Sequence, residues 1–329
     1  TLHEFAERGV NDDDLQKFTA SFESGQVFGM QSVAGKVSNL AFSESFSGDP
    51  RLATADIDRY LAVTREDVVR TFREHIEGRP AVILSIVPNG QLELAARPQN
   101  FDFRSMAEPV PPTVSPPATE ASPEFRHWQD DFDRGARPQP GANPIVDLPP
   151  VWDTHLANGV RLLAVPNTET PTVTVRAVFA MGQRDEPTGK AGLASLTAAL
   201  LNEATRQRSA AEFTEALERI GASVSVTAGS YETTVTLNVL SKHLDAGMQL
   251  MLERLLEPAF TEEDFERVKS QRMESLMQSR KSGPALAARA MDAVLAGPEH
   301  PLAFPGAGLP ATVAEISLDD VKAFYATHI

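Results

Sequence analysis

A proline-rich stretch near the middle of the chain divides the sequence into two parts. Residues 106–150 contain 11 of the 24 prolines in the 329-residue chain. Proline removes a backbone hydrogen-bond donor and fixes φ, so this stretch is expected to be an extended connector rather than a packed element. The sequence therefore predicts three regions, which are residues 1–105, a linker at 106–150 and residues 151–329.

Helical patterns dominate the first part. Asp12–Asp14 are expected to begin a helix, and a second helix is predicted over about residues 33–46. The apolar positions of the first helix, which are expected to be buried, are Leu15, Phe18 and Phe22. The sequences TADIDRYLA and TREDVVRTFREHI predict two more helices, each with a threonine N-cap. The apolar run AVILSIVP at 81–88 is typical of a buried strand.

The second part alternates strands with helices. WDTHLANGVRLLAVPN predicts a hairpin with Asn158 and Gly159 at its turn, and TVTVRAVFAMG predicts a long strand. GKAGLASLTAALLNEATR at 189–206 reads as a helix, and a second helix is expected to end at Gly221. A second hairpin, SVSVTAGSYETTVTLNVL, and further amphipathic helices follow. The pattern predicts an α+β fold with an antiparallel or mixed sheet flanked by helices.

Two pairs of segments suggest that the chain contains parts of a duplicated unit. VTREDVVRTFREHI at 63–76 is similar to ISLDDVKAFYATHI at 316–329, with an offset of 253 residues. NDDDLQKF at 11–18 is similar to TEEDFERV at 261–268, with an offset of 250 residues. Because the offsets nearly agree and are too long for a solenoid, we expect a repeat of whole α/β units. The second copy stops before the strand expected after its terminal helix.

Composition disfavours several classes of partner. The formal net charge is −15, whereas binding to nucleic acid or to an anionic membrane requires positive charge. The chain has no cysteine, which excludes disulfides, thiolate metal sites and cysteine nucleophiles. No apolar run reaches the roughly 18 residues of a membrane-spanning helix. We therefore expect no nucleic-acid partner and no membrane-spanning segment.

The sequence resembles the pitrilysin/insulinase family of zinc metallopeptidases. The segments that carry the resemblance are LANGVRLLAVPN, MGQRDEPTGKAGLASL, the long run from LERIGASVSVTAGSYETTV to TEEDFERVK, and the two helices with the pattern DV…F…HI. Members of this family consist of duplicated α/β units in two homologous halves, joined by a linker and closed around a chamber that holds a peptide. The resemblance implies that the chain holds the end of a first half, the linker and most of a second half.

The residues that would carry the chemistry of this family are absent from the matching positions. In the active half, H-x-x-E-H supplies two zinc ligands and a general base, and a glutamate about 75 residues later supplies the third ligand. Here the ligand positions are Ser195 and Ala199, the base position is Ala198, and the distal position is Leu276. The resemblance thus implies an inactive half without catalytic residues, metal ligands or a cofactor of its own. Zinc is expected only in the other, N-terminal half.

Other candidates for chemistry are weak. The seven histidines are so widely spaced that no two lie within five residues of each other, although distant histidines could still be brought together by folding. Glu262, Glu263 and Asp264 are typical of the acidic first turn of a helix. The hairpin strand at Ser223, Val224, Ser225, Val226 and Thr227 is a candidate edge for binding an extended peptide, because the equivalent edge of the family's active half does so.

These observations leave two functions open. The first is a non-catalytic wall of the peptide-binding chamber in a zinc metalloendopeptidase, with a peptide substrate and the other half of the same protein as partners. The alternative is a wholly non-catalytic scaffold of the same fold. Family habit suggests the bacterial periplasm as the compartment.

Overall fold

The computed structural model describes residues 2–98, 135, 141, 149–279, 281–297 and 300–329. The linker predicted at 106–150 therefore lies almost entirely outside the described residues. The chain forms two compact units, one of Thr1–Glu77 with Asn167–Ile329 and the other of Gly78–Pro166. The first unit thus contains residues from both sides of the proline-rich stretch.

Within the described ranges, five strands form two antiparallel sheets. They are β1 (Trp152–His155), β2 (Arg161–Ala164), β3 (Thr172–Phe179), β4 (Ser223–Ala228) and β5 (Thr233–Leu240). Strands β1 and β2 pair with each other in the smaller unit. In the larger unit the order is β3-β5-β4, so that β5 is central and β4 is an edge strand. Both predicted hairpins are confirmed.

Helices account for most of the larger unit. They are α1 (Leu2–Arg8), α2 (Asp12–Gly29), α3 (Val33–Ser47), α4 (Leu52–Leu61), α5 (Arg65–His75), α6 (Leu193–Leu201), α7 (Ala210–Glu218), α8 (Leu244–Leu256), α9 (Glu262–Ser279), α10 (Gly283–Ala296), α11 (Pro310–Ala314) and α12 (Leu318–His328). This arrangement of small antiparallel sheets flanked by helices confirms the α+β fold class. No helix in the described ranges is long and apolar enough to cross a membrane.

The core lies between one face of the three-stranded sheet and the helices that cover it. Alternate residues of β5, namely Val235, Leu237 and Val239, are completely buried. Helix α8 lies so close to this strand that a Cβ at Gly247 would be 3.1 Å from the Leu237 side chain. Burial of every second residue on a strand is what a sheet with one covered face requires.

The two helices matched by the internal repeat begin in the same way. In α5 the Thr64 hydroxyl accepts a hydrogen bond from the Asp67 N–H, and the Asp67 carboxylate accepts one from the Thr64 N–H. Ser317 and Asp320 form the same reciprocal pair at the start of α12. Both helices have 11 residues. The reciprocal bonds satisfy N–H groups that the first helical turn leaves unpaired.

Helix α2 attaches the N-terminal helices to the second part of the chain. Asp13 on α2 forms an ion pair with Arg219 at the end of α7, and Ser24 donates a hydrogen bond to the Gly221 carbonyl. Hydrogen bonds from Arg219 and Lys17 lower the pKa of Asp13 to about 2, so this carboxylate stays charged far below neutral pH. These contacts are internal to the larger compact unit.

Three details of the helices differ from expectation. Phe18 is 58% exposed, whereas Ser24 and Val27 are the buried residues of α2. The face with Phe22 is covered by Tyr60 of α4, whose ring stacks on Phe22 with the ring centres 3.7 Å apart. Helix α4 begins at Leu52 with Arg51 as its N-cap, so Thr54 lies inside the helix and does not cap it. In α6, the helical residues are fewer than the sequence GKAGLASLTAALLNEATR suggested.

The apolar run at 81–88 does not form the predicted strand. Residues 79–88 have no regular secondary structure, and the Val82 side chain is fully exposed, with Leu84 and Ile86 almost so. A strand exists only where a neighbouring chain supplies hydrogen-bond partners, and none of the described residues pairs with this run. Its apolar sequence favours a strand, but the partner is missing from the described structure.

We predict that proteolysis within residues 106–145 cuts the chain first and leaves the two fragments associated. Exposed proline-rich segments are cut easily, while α2 and α7 hold the fragments together. The fragments should co-elute in size-exclusion chromatography at neutral pH. R219Q should promote their separation, whereas R59Q removes an exposed ion pair with Asp56 inside one fragment and should not. A first cut within 190–280, or separation of the unsubstituted fragments, would contradict the prediction.

Candidate functional site

The entry to α6 fixes the position of the helix that would carry the zinc-binding motif. Gly192, its N-cap, has φ of 101°, which favours glycine. A Cβ on Gly192 would also lie 2.9 Å from the Ala307 carbonyl oxygen. Glycine is therefore required here both for the backbone angle and for the close approach of the neighbouring loop.

A buried carboxylate caps the same helix end. Glu186 is 7% exposed, and its Oε1 accepts a hydrogen bond of 2.9 Å from the Ala194 N–H. Both carboxylate oxygens also lie within 3.2 Å of the Gly192 nitrogen, which donates to them. Burial raises the pKa of Glu186 to about 7, although the backbone hydrogen bonds act in the opposite direction. The charged approach MGQRDEPT thus contributes a helix cap rather than a reactive group.

The four positions that the sequence resemblance aligns with the zinc motif lie on two helices that pack against each other. On α6, Ala198 is buried, and Ser195 and Ala199 are partly buried. Leu276 on α9 is buried and belongs to the same apolar cluster as Ala198, with Ala199 packed against that cluster. Helices α6 and α9 are in contact. Whether Leu276 directly touches Ala199 remains a prediction.

A cation that sequence reasoning missed lies at the first ligand position. Nη1 of Arg272 on α9 donates a hydrogen bond of 2.8 Å to the Ser195 hydroxyl. Arg267, earlier on α9, forms an ion pair of 2.6 Å with Glu203 just after α6, so the two helices run antiparallel. Arg272 precedes Leu276 by one helical turn and shares its helix face, and this spacing was the available signal.

The described residues offer no alternative metal site. Across the described part of the chain, no three or more histidine, aspartate or glutamate side chains come together in a way that could hold a metal ion. Glu263 lies near the start of α9, and Asp264 caps that helix with Thr261, as the sequence suggested. The acidic first turn of α9 thus has a structural explanation.

The outer edge of β4 is occupied from within the chain. Ser223, Ser225 and Thr227 have exposed side chains, whereas those of Val224 and Val226 are buried. The Asn202 side chain pairs with the main chain of Val226 like a neighbouring strand, because its oxygen accepts from the Val226 N–H at 3.0 Å and its nitrogen donates to the Val226 carbonyl at 2.9 Å.

Arg254 on α8 occupies the next position along this edge. Its Nη1 donates a hydrogen bond of 2.7 Å to the Val224 carbonyl, and its guanidinium lies over the Phe213 ring at 4.1 Å from the ring centre. Burial lowers the pKa of Arg254 to about 10. Strand addition of a peptide at Ser223–Thr227 would therefore have to displace both Asn202 and Arg254.

Part of the chain is similar to a known protein family. The family described as insulinase, peptidase family M16, matches residues 161–295, which include β3 to β5 and α6 to α9. Residues 161–295 are therefore similar to an M16 domain. This similarity is consistent with the non-catalytic, peptidase-like segment that the sequence predicts.

Individual relatives are consistent with this assignment. One similar crystal structure is that of a peptidase M16 inactive domain from Pseudomonas fluorescens. It is 26% identical to this chain with a TM-score of 0.51, and the alignment covers 53% of this chain and 42% of that chain. The non-peptidase homolog YmxG of Helicobacter pylori is 32% identical over 135 residues, which are 41% of this chain. A protease from Helicobacter pylori shares the fold, at 21% identity and a TM-score of 0.51, over 55% of this chain and 44% of that one.

The chain spans only part of the proteins that it matches. The aligned region is 31% of the length of YmxG, and the alignments cover 42% and 44% of the two solved chains. The similarity therefore describes the M16 domain and its immediate surroundings.

We predict that E186Q makes the protein less sensitive to pH between about pH 5 and pH 8. The pKa of Glu186 is about 7 in the folded chain, above the ordinary glutamate value of 4.5, so the folded state binds the extra proton. The free energy of unfolding therefore falls as pH rises through this range. Glutamine can keep the bonds to Gly192 and Ala194 without acquiring charge. As pH rises from about 5 to about 8, the free energy of unfolding of E186Q should increase by about 2 kcal/mol relative to that of wild type.

Denaturant unfolding at both pH values measures this difference. The same E186Q effect at pH 5 and pH 8 would show that the Glu186 pKa is not raised. Comparing the variant with wild type cancels the contributions of all other titrating groups.

We also predict that the replaced motif can be converted to a zinc site. S195H, A198E, A199H and L276E together restore three ligands and a base. Without metal this variant should lose roughly a few kcal/mol of stability, since polar groups replace apolar ones, and zinc should restore part of that loss. Activity is not expected, because the groups that orient the ligands would still be missing.

Replacing Arg272 provides a second test of this design. Its positive charge beside position 195 should oppose Zn²⁺, so adding R272Q to the four substitutions should increase the zinc-dependent rise in melting temperature. R272Q alone is the control and should show no response to zinc. If zinc leaves the melting temperature of the five-fold variant unchanged, then α6 and α9 do not align with the metal site of the family.

Proposed function

We propose that this chain forms a non-catalytic wall of a peptide-binding chamber in an M16 protein. The other wall is an N-terminal half that holds zinc and hydrolyses peptide bonds with a metal-activated water. The observation that supports the proposal is the packing of α6 against α9. These helices carry Ser195, Ala198, Ala199 and Leu276, which the sequence resemblance aligns with the zinc motif. The scaffold of the site is kept while its chemistry is replaced.

The exposed apolar surface of the smaller unit supports an association with another body. Val82, Leu84 and Ile86 are at least four-fifths exposed, and Trp152 and Leu163 of the hairpin are more than half exposed. Isolated apolar residues on a surface are ordinary, but clustered ones mark contact sites. In the proposed protein, the preceding half would supply strands that pair with the run at 81–88.

Peptide contact along Ser223–Thr227 is the weaker part of the proposal. The main chain of this edge already pairs with Asn202 and Arg254. A peptide held by strand addition would therefore lie against the opposite, zinc-bearing half. The non-catalytic wall would then exclude water and folded proteins from the chamber.

The alternative is a wholly non-catalytic scaffold, and one finding favours it. The relative YmxG, 32% identical over 135 residues, is described as a non-peptidase homolog. Two proteins with the same domain can differ in whether the other half keeps the zinc motif, because function depends on the site and not on the fold.

Zinc content and peptidase activity of the complete protein, purified from its native source, separate these functions. The chamber proposal expects about one tightly held zinc per complete protein after a chelator wash, together with cleavage of unstructured peptides. The 329-residue chain alone should hold no stoichiometric zinc and cleave no peptide. A complete protein without zinc or activity would support the scaffold instead. Zinc and activity in the chain alone would contradict both.

A further inference from the structure

The three cations of α9 differ in how their charge is compensated. Arg267 lies 2.6 Å from a Glu203 oxygen and 2.8 Å from an Asp264 oxygen. Lys269 donates to the carbonyls of Ala314 and Ile316. Among the described residues, Arg272 donates only to the neutral Ser195 hydroxyl, and no carboxylate lies within ion-pair distance of its guanidinium.

This lack of a counter-charge is unusual for its surroundings. Arg272 is partly buried, and burial alone lowers its pKa, whereas carboxylates raise the pKa of the neighbouring Arg267. The chain has 45 acidic residues against 30 lysines and arginines, so carboxylates are plentiful elsewhere. A desolvated cation is costly unless an anion accompanies it.

The geometry around Arg272 suits a carboxylate ligand. The guanidinium has five N–H donors in a planar arrangement that matches both oxygens of a carboxylate. The single hydrogen bond to Ser195 leaves further donors for a ligand and fixes one end of the group. Lys190, another cation close to α6, already binds Asp320 at 2.7 Å.

We propose that Arg272 binds a carboxylate group of a peptide, at the place on α6 where an active M16 half would hold zinc. The peptide as the source of the carboxylate rests on the proposed chamber function. The carboxylate can be the C-terminus of the peptide or the side chain of an aspartate or glutamate. The site would hold an anion without supplying the Lewis acid that hydrolysis of a peptide bond needs here.

The experiment uses the 329-residue chain with isotope-labelled arginine, and follows the Arg272 side-chain signals by NMR. The first probe is acetate. The next three are acetylated tripeptides. The first is an alanine peptide with a free C-terminus, and the second is the same peptide with a C-terminal amide. The third has a C-terminal amide and a central glutamate. The Arg272 signal is assigned by its loss in R272Q. It should shift with acetate and with at least one peptide that has a carboxylate. It should not shift with the amidated alanine peptide.

Variants show whether the binding depends on Arg272. R272Q should weaken acetate binding by at least about tenfold, because a charge-assisted pair is lost. R272K keeps the charge but not the two-pronged geometry, so its loss should be intermediate. R267Q is the matched control on the same helix and should bind as wild type does, since Arg267 is already neutralised by Glu203.

The outcomes separate this proposal from the chamber function. Binding of the free C-terminus alone, or of the glutamate peptide alone, would identify the source of the carboxylate. An unshifted Arg272 signal with every carboxylate probe, or equal acetate affinity in R272Q and wild type, would overturn the proposal. Such a result would leave the chamber function intact, because that function is tested by zinc and activity in the complete protein.

Discussion

Burial of helix α6 is the constraint on which the larger unit depends. This short helix is composed almost entirely of leucine, alanine and threonine, and contacts β4, α9 and α12. A helix that is apolar on all sides is stable in water only when other elements surround it. Its N-terminal N–H groups therefore need a partner from within the chain, and Glu186 supplies one. Strand β4, helices α9 and α12, and the loop with Glu186 therefore all pack around α6.

The same burial joins α6 to α9. In an active half, ligands on the helices corresponding to α6 and α9 are joined by zinc. Here the apolar cluster around Ala198 and Leu276, together with the hydrogen bond from Arg272 to Ser195, joins the two helices. In the proposed function, this hydrophobic packing and this polar contact take the place of metal coordination between the two helices.

The two hairpins, β3 and most of the helices could be predicted from sequence because they depend on local patterns. Alternating residues such as Val235 and Leu237 indicate a strand, and Thr64 with Asp67 indicates a helix start. The exposure of Phe18 and the irregular run at 81–88 could not be predicted, because they depend on which distant surfaces are available. The contact between Arg272 and Ser195 joins residues 77 positions apart, so only the tertiary structure brings them together.

The side-chain amide of Asn202 has a consequence for the behaviour of the protein in concentrated solution. Edge strands with free N–H and C=O groups pair readily with other molecules and can begin aggregation. At Val226 these groups already bond to Asn202, and Arg254 covers the Val224 carbonyl. One asparagine and one arginine thus make the exposed side of a valine-containing strand a poor template for a second chain. The fold protects this edge with two side chains and without an additional strand.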